Sequence, residues 1–533
     1  MSHRNLPRLA ISFVILATIL TAGVSAFNRT WAVVLPKPAP KPALGINLSG
    51  PSDWNTELPL CDVFRFSRTW ISQRHGSAWG KGPALPFDKN GYVTALEPDC
   101  FAETPLCTIE DGHYPTGIYT VIYEGTGTIE FSKGRVLSTR PGRIEVEIDS
   151  AKGGFFLRLK STMPKDHVRN IRVYLPGTEK LAQSNPWRPA FLKQWEGMAC
   201  IRFMDLQMTN NSTLARWEDR PTLQDSTWTV KGLPVEMLCD LANRLKSDAW
   251  FCIPHSADDD YVRQFAKLVR EKLDPNRRAY IEYSNEIWNS MFSQHRYAAA
   301  EGKRLGFSDK DWQAAWRYTG HRSVEIFKIW DTEFGDQARS RLVRVLPSQA
   351  SNAYVSRQVA GWEKASEHAD VLAIAPYLSM NVPQDGKLLK ASQVAEWSNE
   401  QVFEHLEKIA LPECLKWIAD NRKVADEHGL KLVCYEAGQH LVGIGGAENN
   451  EKLTRLLMSA NADPRMGELY KRYYAGWESL GGDLLCHFSS MGRWSKWGSW
   501  GLLQHYDDAP KKSPKLMETL NWAARLGQKV TVD

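Results

Sequence analysis

The sequence lacks the signatures of phosphate chemistry and of nucleic-acid binding. It contains no glycine-rich phosphate-binding loop. It also has no long basic run, since 66 lysines and arginines against 61 aspartates and glutamates leave a net charge of +5 over 533 residues. Binding to a phosphate backbone depends on clustered cations. The sequence therefore gives no support to a nucleic-acid partner or to a phosphate-transferring enzyme.

Cysteines are few and are not arranged as metal ligands. Nine cysteines, an odd number, do not make the disulfide framework of a small secreted domain, and no CxxC pair or Cys/His cluster has the spacing of a zinc site. Cys100 and Cys107 lie in a loop-like stretch and could pair after export. Four others lie within apolar, strand-like runs, where buried, inert thiols are expected: Cys200, Cys252, Cys434 and Cys486.

The composition is that of a globular protein with an ample core. Hydrophobic residues make up 43% of the chain and charged residues 24%. A length of 533 residues is too great for one ordinary domain, although a barrel with insertions could use most of it. The 21 tryptophans suit flat apolar ligands such as sugar rings, but tryptophan also fills large cores.

The first 26 residues are predicted to be a signal peptide. His3, Arg4 and Arg8 precede an apolar stretch from Leu9 to about Thr21, and residues 24–26 are the small residues that a signal peptidase reads. The alternative is an uncleaved membrane anchor, because the apolar stretch is nearly long enough to span a bilayer. In both cases we expect the body of the protein to be secreted or periplasmic, and membrane attachment, if any, to run only through this segment.

Eight short apolar runs, separated by helical patterns, predict the strands of a parallel sheet. The intervening segment 261–273, for example, places five apolar side chains on one helical face. Eight such units predict a TIM (β/α)8 barrel. The run 63–67 is left over, as an extra strand at the barrel mouth or as the true second strand. The eight predicted strands are Ala43–Leu48, Ala199–Leu206, Ala249–Pro254, Ala279–Ser284, Arg341–Leu346, Val371–Pro376, Leu432–Tyr435 and Leu484–Phe488.

An insertion separates the first two predicted barrel strands. Residues 91–177 contain strand-like segments divided by glycine turns, with clear alternation in Arg143–Ile148. We expect an antiparallel β-sandwich domain inserted between strands 1 and 2, acting either as a carbohydrate-binding module or as a structural cap. The predicted organisation is a signal peptide (1–26), a stiff Pro-rich linker (27–42), the first part of the barrel (43–90), the inserted sandwich (91–177), the rest of the barrel (178–525) and a C-terminal tail (526–533).

Two predicted strands end on a glutamate. Residues 280–289 read YIEYSNEIWN, so that Glu286 follows the fourth strand, and Glu436 follows the seventh. The C-terminal ends of all strands in a (β/α)8 barrel open onto one face. Two carboxylates facing each other there are the groups that cleave a glycosidic bond, one as the acid and the other as base or nucleophile.

The segment Glu282-Tyr-Ser-Asn-Glu286 resembles the fourth-strand motif of the large clan of retaining (β/α)8-barrel glycosidases, which contains many cellulases and mannanases. The resemblance implies that Glu286 is the acid/base, that Asn285 holds the sugar 2-hydroxyl and that Glu436 is the nucleophile. Ile287 replaces the proline that often follows Asn-Glu in the clan, so the chain would be a divergent member.

Further candidates support the two carboxylates. Arg202, in the second strand, and Tyr377, after the sixth, resemble clan residues that hold the nucleophile. The alternatives are a structural ion pair for Arg202 and ordinary packing for Tyr377. Glu282 has the same strand parity as Glu286 but lies deeper, so a supporting role is expected.

Sugar-binding side chains are also expected around the cleft. His255, after the third strand, could bind a sugar hydroxyl, or else serve a cap or a loop. The run 258–260 consists of three aspartates and is predicted to cap the helix that follows rather than to bind a metal. Tryptophans gather in the predicted cleft loops, where each is either a stacking platform or a packing residue: Trp54, Trp288 and Trp494 as substrate-binding candidates, with Trp217, Trp228, Trp497 and Trp500.

The resemblance implies a retaining glycoside hydrolase that cleaves β-glycosidic bonds of a polysaccharide or oligosaccharide by double displacement, and the signal segment predicts that it is exported. No metal or organic cofactor is expected. A transglycosylase would use the same residues. The remaining alternative is a non-catalytic carbohydrate-binding or cell-surface protein on a decayed barrel, which would have lost one carboxylate, whereas both are present.

Overall fold

A closed barrel of eight parallel strands forms the centre of the molecule. The computed structural model describes residues 42–531, so the predicted signal peptide and nearly all of the linker lie outside the described residues. The first strand pairs with both the second and the eighth, which closes the barrel and confirms the predicted TIM barrel. In chain order the barrel strands are Ala43–Asn47, Cys200–Arg202, Asp248–Ile253, Ala279–Tyr283, Leu342–Pro347, Val371–Ile374, Lys431–Ala437 and Leu484–His487.

Helices cover the outside of the barrel. Phe265 of helix Asp259–Lys272 meets Phe251 of the third strand with ring centroids 5.5 Å apart. This helix begins as predicted, because the Asp258 side chain accepts a hydrogen bond from the Tyr261 backbone N–H at 2.7 Å. The α-helices are Glu179–Ala182, Pro189–Trp195, Val235–Leu245, Asp259–Lys272, Ser293–Arg304, Asp311–Phe334, Ala338–Arg341, Ala353–Gly361, Ala391–Val394, Asn399–His405, Leu411–Glu427, Glu451–Ala462, Arg465–Ser479 and Pro514–Arg525. Among residues 42–531 no helix combines the length and the apolar character needed to cross a membrane.

The barrel interior is filled by side chains that alternate with outward-facing ones along each strand. Trp250 and Cys252 point inward, whereas Phe251 packs under the helices. Cys200 and Arg202 share the inward parity of the second strand, and Arg202 is completely buried. The barrel interior is therefore apolar except where polar side chains enter it toward the C-terminal ends of the strands.

Two four-stranded antiparallel sheets lie between the first and second barrel strands in sequence. Apolar side chains of both sheets belong to one core cluster, separate from that of the barrel. Strands 117–124 and 155–162 alternate buried and more exposed residues, as a sheet with one covered face requires. The first sheet has the order Ile71–Arg74, Cys100–Leu106, Phe155–Thr162, Gly127–Phe131, and the second Arg135–Arg140, Arg143–Ile148, Gly117–Glu124, Arg169–Tyr174.

Two sequence-based expectations for this region are wrong. Cys100 and Cys107 are both free and buried. The strand 100–106 holds them apart: at about 3.3 Å per residue they are separated by roughly 20 Å, far beyond the reach of a disulfide. The apolar run at 63–67 is not a strand, because Val63–Phe66 forms a 3-10 helix that the Asp62 side chain caps.

A short parallel ribbon extends the sixth and seventh barrel units beyond the barrel mouth. Its strands, Leu378–Pro383 and Gln439–Ile444, pair along their whole length. Gly438 separates the ribbon from the seventh barrel strand with φ 129°, and a Cβ there would come within 2.9 Å of the His487 ring. Only glycine fits this junction without strain.

Candidate active site

Glu286 lies in a sharp turn that directly follows the fourth barrel strand. Ser284 and Glu286 both have positive φ, 58° and 42°, which is uncommon for residues with a side chain. The turn is held by hydrogen bonds from the Ser284 N–H to Ile253 and from the Asn289 N–H to the Glu286 carbonyl, both 2.8 Å. Backbone strain of this kind concentrates at functional sites.

Glu286 is partly buried, and its carboxyl group forms no ion pair with any residue in the range 42–531. The Asn289 side chain donates a hydrogen bond to its Oε2 at 3.0 Å. Burial and the nearby charge of Glu436 raise the pKa of Glu286 to about 8. This carboxyl group therefore keeps its proton at neutral pH.

Glu436 has the opposite surroundings. It belongs to the end of the seventh strand and is buried. Arg202 Nη1 donates to its Oε1 at 2.9 Å, and the Tyr377 hydroxyl donates to its Oε2 at 2.8 Å. Both donors favour the ionised carboxylate.

Arg202 connects the two strand ends that carry the carboxylates. Besides Glu436, it forms a paired contact with Glu282, from Nε at 3.0 Å and Nη2 at 3.2 Å. Its Nη2 also donates to Asn285 Oδ1 at 2.8 Å, and its Nη1 to Asn47 Oδ1 at 3.1 Å. Burial alone would lower the pKa of Arg202, but the charges of Glu282 and Glu436 hold it well above its usual value.

Asn285 is fixed from both ends of its amide. Its oxygen accepts from Arg202, and its Nδ2 donates to Asn210 Oδ1 at 3.0 Å. Gln294 donates to the same Asn210 oxygen at 2.7 Å and to the Asn285 carbonyl at 2.9 Å. The amide is thus oriented before any ligand arrives.

Aromatic side chains surround the same region. Trp288 Nε1 donates to the Tyr435 hydroxyl at 3.2 Å. The Tyr377 ring meets Trp500 edge-on with centroids 5.6 Å apart, and His440 lies 4.7 Å from Trp500. These rings restrict the position of the Tyr377 hydroxyl that contacts Glu436.

Three predicted residues lie apart from this network. His255 is buried, its ring packs edge-on against Tyr297 at 5.3 Å, and burial lowers its pKa to about 4, so the imidazole is neutral. Trp494 is only 8% exposed, with Lys515 4.4 Å from its ring, and presents little open ring face. Trp54, in contrast, is 57% exposed and lines a cavity of about 500 Å³.

Sequence reasoning missed three polar residues of the site. Asn47 donates to the carbonyls of Tyr435 and His487 at 2.9 and 3.2 Å. Its position at the end of the first barrel strand is a signal that could have identified it. Asn210 and Asp205 lie in the loop after the second strand. Asp205 falls within the predicted strand 199–206, of which only Cys200–Arg202 is a strand, and no pattern marked Asn210. Burial and the charge of Glu436 raise the pKa of Asp205 to about 7.

The site offers one protonated carboxyl group and one carboxylate held by donors to its charged form. That asymmetry can supply a general acid together with a nucleophile or base. Within residues 42–531, no group of three or more His, Cys, Asp or Glu side chains could hold a metal ion.

Fold and site together define a (β/α)8-barrel protein with a carboxylate pair at the ends of its fourth and seventh strands. No protein-family model matches the sequence, and no curated protein matches it. Among solved structures, three glycosidases with this fold can be compared. They are a 4-O-α-L-rhamnosyl-β-D-glucuronidase from Fusarium oxysporum (11% identity, 62% of each chain, TM-score 0.35), an endo-β-1,4-mannanase from Thermotoga petrophila (13%, 62% of this chain and 71% of that one, 0.32) and an endoglucanase from Clostridium acetobutylicum (11%, 65% and 93%, 0.34).

The chain thus spans less than two thirds of the Fusarium enzyme. Likenesses with TM-scores between 0.32 and 0.35 carry no argument about activity.

Proposed function

We propose that the protein is a retaining glycoside hydrolase that cleaves β-glycosidic bonds in a polysaccharide or oligosaccharide. The observation that carries the proposal is the contrast between the two carboxyl groups. Glu286 is partly buried beside a negative charge, and its pKa is raised to about 8, whereas Glu436 accepts hydrogen bonds from Arg202 and Tyr377. Glycosidases need this division between an acid that keeps its proton and a carboxylate that stays charged.

The proposed reaction has two steps. Glu436 attacks the anomeric carbon, and the bond to the leaving oxygen breaks as Glu286 transfers its proton to that oxygen. In the second step Glu286 takes a proton from water, the water oxygen attacks the anomeric carbon and the ester bond to Glu436 breaks. Glu436 loses its charge when the ester forms and regains it when the ester breaks, and the hydrogen bonds from Arg202 and Tyr377 stabilise its charged form. Asn285, held by Arg202, faces the reacting sugar in this scheme.

Export and the role of the two extra sheets belong to the same proposal. The N-terminal signal segment would deliver the enzyme outside the cytoplasm, where polymeric glycans occur. The two four-stranded sheets, read as an inserted β-sandwich, would form part of the wall of the substrate cleft. Support comes from residues 68 and 69, which precede their first strand and line the cavity beside the site.

Substitution of each carboxyl group by its amide tests the proposal. On an aryl β-glycoside with a good leaving group, Glu286→Gln should still form the glycosyl-enzyme and then stall, giving a burst of phenol, because such a leaving group needs little protonation. Glu436→Gln should give no burst, since nothing remains to attack. Steady-state turnover should fall about 10²–10⁴-fold or more in each variant. Added azide should rescue Glu286→Gln to the β-glycosyl azide.

The matched control is Glu271→Gln, at an exposed glutamate on the outer helix 259–272, which should retain wild-type rates. Circular dichroism should show all three variants folded. Near-wild-type turnover of both site variants on every accepted substrate would refute the assignment. Glycan affinity without new reducing ends in the wild-type protein would identify a binding protein instead.

A further inference from the structure

The cavity beside the candidate site continues the active site along the protein surface. It has a volume of about 500 Å³, and Trp54, Asp205 and Asn210 line it. Asn210 accepts a hydrogen bond from Asn285, the residue next to Glu286. A sugar at the catalytic carboxyl groups would therefore have its neighbour in this cavity.

A second cavity of the same volume adjoins the first. Thr69 and Val230 line both cavities, which makes them contiguous. Each volume falls in the range of about 300–1,000 Å³ that is typical of small-ligand sites. The second cavity lies between the stretch 69–91, which contains strand Ile71–Arg74 of the first sheet, and the barrel loop 225–231. Together the two cavities form one groove with about 500 Å³ of space in each part.

Aromatic rings are available in the second cavity. Trp70 and Phe87 both line it. Phe87 is 49% exposed, whereas Trp70 is half-buried and packs against Phe64 with centroids 6.1 Å apart. A rigid, half-buried tryptophan and an open phenylalanine ring offer apolar faces that suit the C–H face of a pyranose.

The acidic side chains of the second cavity are already engaged. Asp88 accepts hydrogen bonds from the backbone N–H of Asn90 and from His167, both at 2.9 Å. Asp225 accepts from the backbone and the hydroxyl of Thr222 at 3.0 and 2.9 Å. These carboxylates thus have internal hydrogen-bond partners, and neither forms an ion pair with Lys89 or Lys231.

Two ammonium groups are left without partners at the same place. Lys89 and Lys231 line the cavity and are exposed, and within residues 42–531 neither makes a side-chain hydrogen bond or an ion pair. Arg68, in the first cavity, differs in this respect, because Asp53 binds it at 2.6 Å. Two ammonium groups that can pair with an anionic ligand group therefore lie at the distal end of the groove, beside two carboxylates that have other hydrogen-bond partners.

We propose that the second cavity binds an acidic pyranose, a sugar that carries a carboxylate or a sulfate ester, within the glycan that the active site cleaves. The aromatic faces would hold the ring, and Lys89 and Lys231 would pair with its anionic group. The inference rests on the proposed function, because it makes this cavity a distal subsite of the same cleft. It identifies the preferred substrate class as an acidic polysaccharide.

Binding is measured by calorimetry in the Glu286→Gln background, where the glycan is not consumed. The probes are β-1,4-linked glucuronic-acid oligosaccharides, the cello-oligosaccharides of equal length that carboxyl reduction yields, and sulfated cello-oligosaccharides. When Lys89→Gln and Lys231→Gln are introduced together into this background, the affinity for the acidic probes should fall about 2- to 30-fold, which is the effect of losing two exposed charge pairs. Affinity for the neutral probe should stay unchanged. The loss should shrink at high salt, since exposed pairs are screened.

The matched charge control is Lys267→Gln with Lys328→Gln, at two exposed lysines on outer helices, which should leave all affinities unchanged. Phe87→Ala should weaken acidic and neutral probes alike, because it removes a ring face and no charge. Preference for one acidic probe over the other would identify the anionic group as carboxylate or sulfate.

Equal affinity of the acidic and neutral probes, or equal losses in the cavity and control lysine variants, would overturn the subsite. Those outcomes are independent of the proposed reaction. A protein that cleaves neutral glycans but ignores the lysine changes keeps its function without this subsite. A protein that binds acidic glycans through these lysines but never cleaves a glycan keeps the subsite without the function.

Discussion

At the scale of single residues, the site depends on the shape of the Arg202 side chain as much as on its charge. Its guanidinium donates to Glu282, Glu436, Asn285 and Asn47 at distances from 2.8 to 3.2 Å. A lysine ammonium is a point charge that cannot make this planar set of contacts. Arg202→Lys would therefore keep the charge and leave buried acceptors unpaired.

Arg202→Lys should lower kcat at least about 100-fold and destabilise the fold by about 1–3 kcal/mol for each acceptor left unsatisfied. Chemical denaturation and glycoside kinetics measure the two effects. Arg278→Lys is the matched control, since Arg278 pairs with Asp248 at the opposite end of the barrel strands and is half exposed. Wild-type kcat in Arg202→Lys would contradict the role given to the guanidinium.

The raised pKa of Glu286 has a consequence for stability. The folded protein holds this proton up to about pH 8, whereas an unfolded glutamate loses it near 4.5. Between those values the folded state binds more protons, so the free energy of unfolding falls as pH rises. The cost of enclosing this carboxyl group is absent below about pH 4.5 and largest near and above pH 8.

Glu286→Gln should therefore unfold at a higher temperature than wild type, by an amount that grows from pH 4.5 to pH 8 and corresponds to about 1–3 kcal/mol at the upper end. Thermal unfolding at both pH values tests this. Glu271→Gln, at an exposed site, should show no such pH trend. A variant that is no more stable than wild type at pH 8 would contradict the enclosure of Glu286.

The residues of the site differ in how well sequence reveals them. Glu286 and Glu436 follow buried apolar runs, and in a (β/α)8 barrel the end of such a run marks the C-terminal end of a strand. Asp205 and Asn210 lie in a long loop, and only its folded path brings Asn210 onto Asn285. Trp494 was predicted at the cleft from its position alone, yet packing under Lys515 buries it.

At the scale of elements, continuous apolar runs and regular alternation predicted strands correctly, whereas segments with neither pattern were missed. The eight barrel strands are buried on both faces and so appear as continuous apolar runs. Arg143–Ile148 alternates and was predicted to the residue. Cys100–Leu106 was missed because Glu103, Thr104 and Pro105 interrupt its apolar run, although the strand is buried along nearly its whole length, and Ile71–Arg74 because it is short and polar. The ribbon of 378–383 and 439–444 depends on pairing between distant segments.

The junction between the seventh strand and the ribbon is expected to control the position of Glu436. Gly438 has φ 129°, and a Cβ there would press against the His487 ring at 2.9 Å and the Phe488 carbonyl at 3.2 Å. Gly438→Ala should displace the strand end two residues after Glu436. We expect kcat to fall at least about 10-fold, because small displacements of catalytic groups have large effects on rate, with a stability loss of about 1–3 kcal/mol.

Gly445→Ala separates steric displacement from backbone strain. Gly445 follows the other end of the ribbon strand with φ 61°, and a Cβ there meets no atom within 4 Å. This variant should lose a little stability and keep its kcat. Equal kcat in the two variants would show that the junction does not position Glu436.

At the scale of the whole molecule, the two extra sheets are joined to the barrel by more than chain connectivity. The Thr108 N–H donates to the Asp53 carbonyl at 2.8 Å, and His113 contacts Asp507 at 2.9 Å. Tyr506 packs against both hydrophobic cores and lies 4.4 Å below the Arg188 guanidinium. Contacts that cross between two cores couple their unfolding.

We therefore expect one cooperative thermal transition, although the chain contains two separate apolar cores. Scanning calorimetry should give a single peak whose calorimetric and van't Hoff enthalpies agree. Tyr506→Ala should lower the transition by a few degrees and broaden or split it, because it removes packing from both cores. Tyr354→Ala, at a tyrosine 45% exposed on an outer helix, should leave the single peak intact. Two well-separated peaks in the wild-type protein would mean that the sheets unfold independently of the barrel. One wall of the groove could then unfold while the active site stays folded.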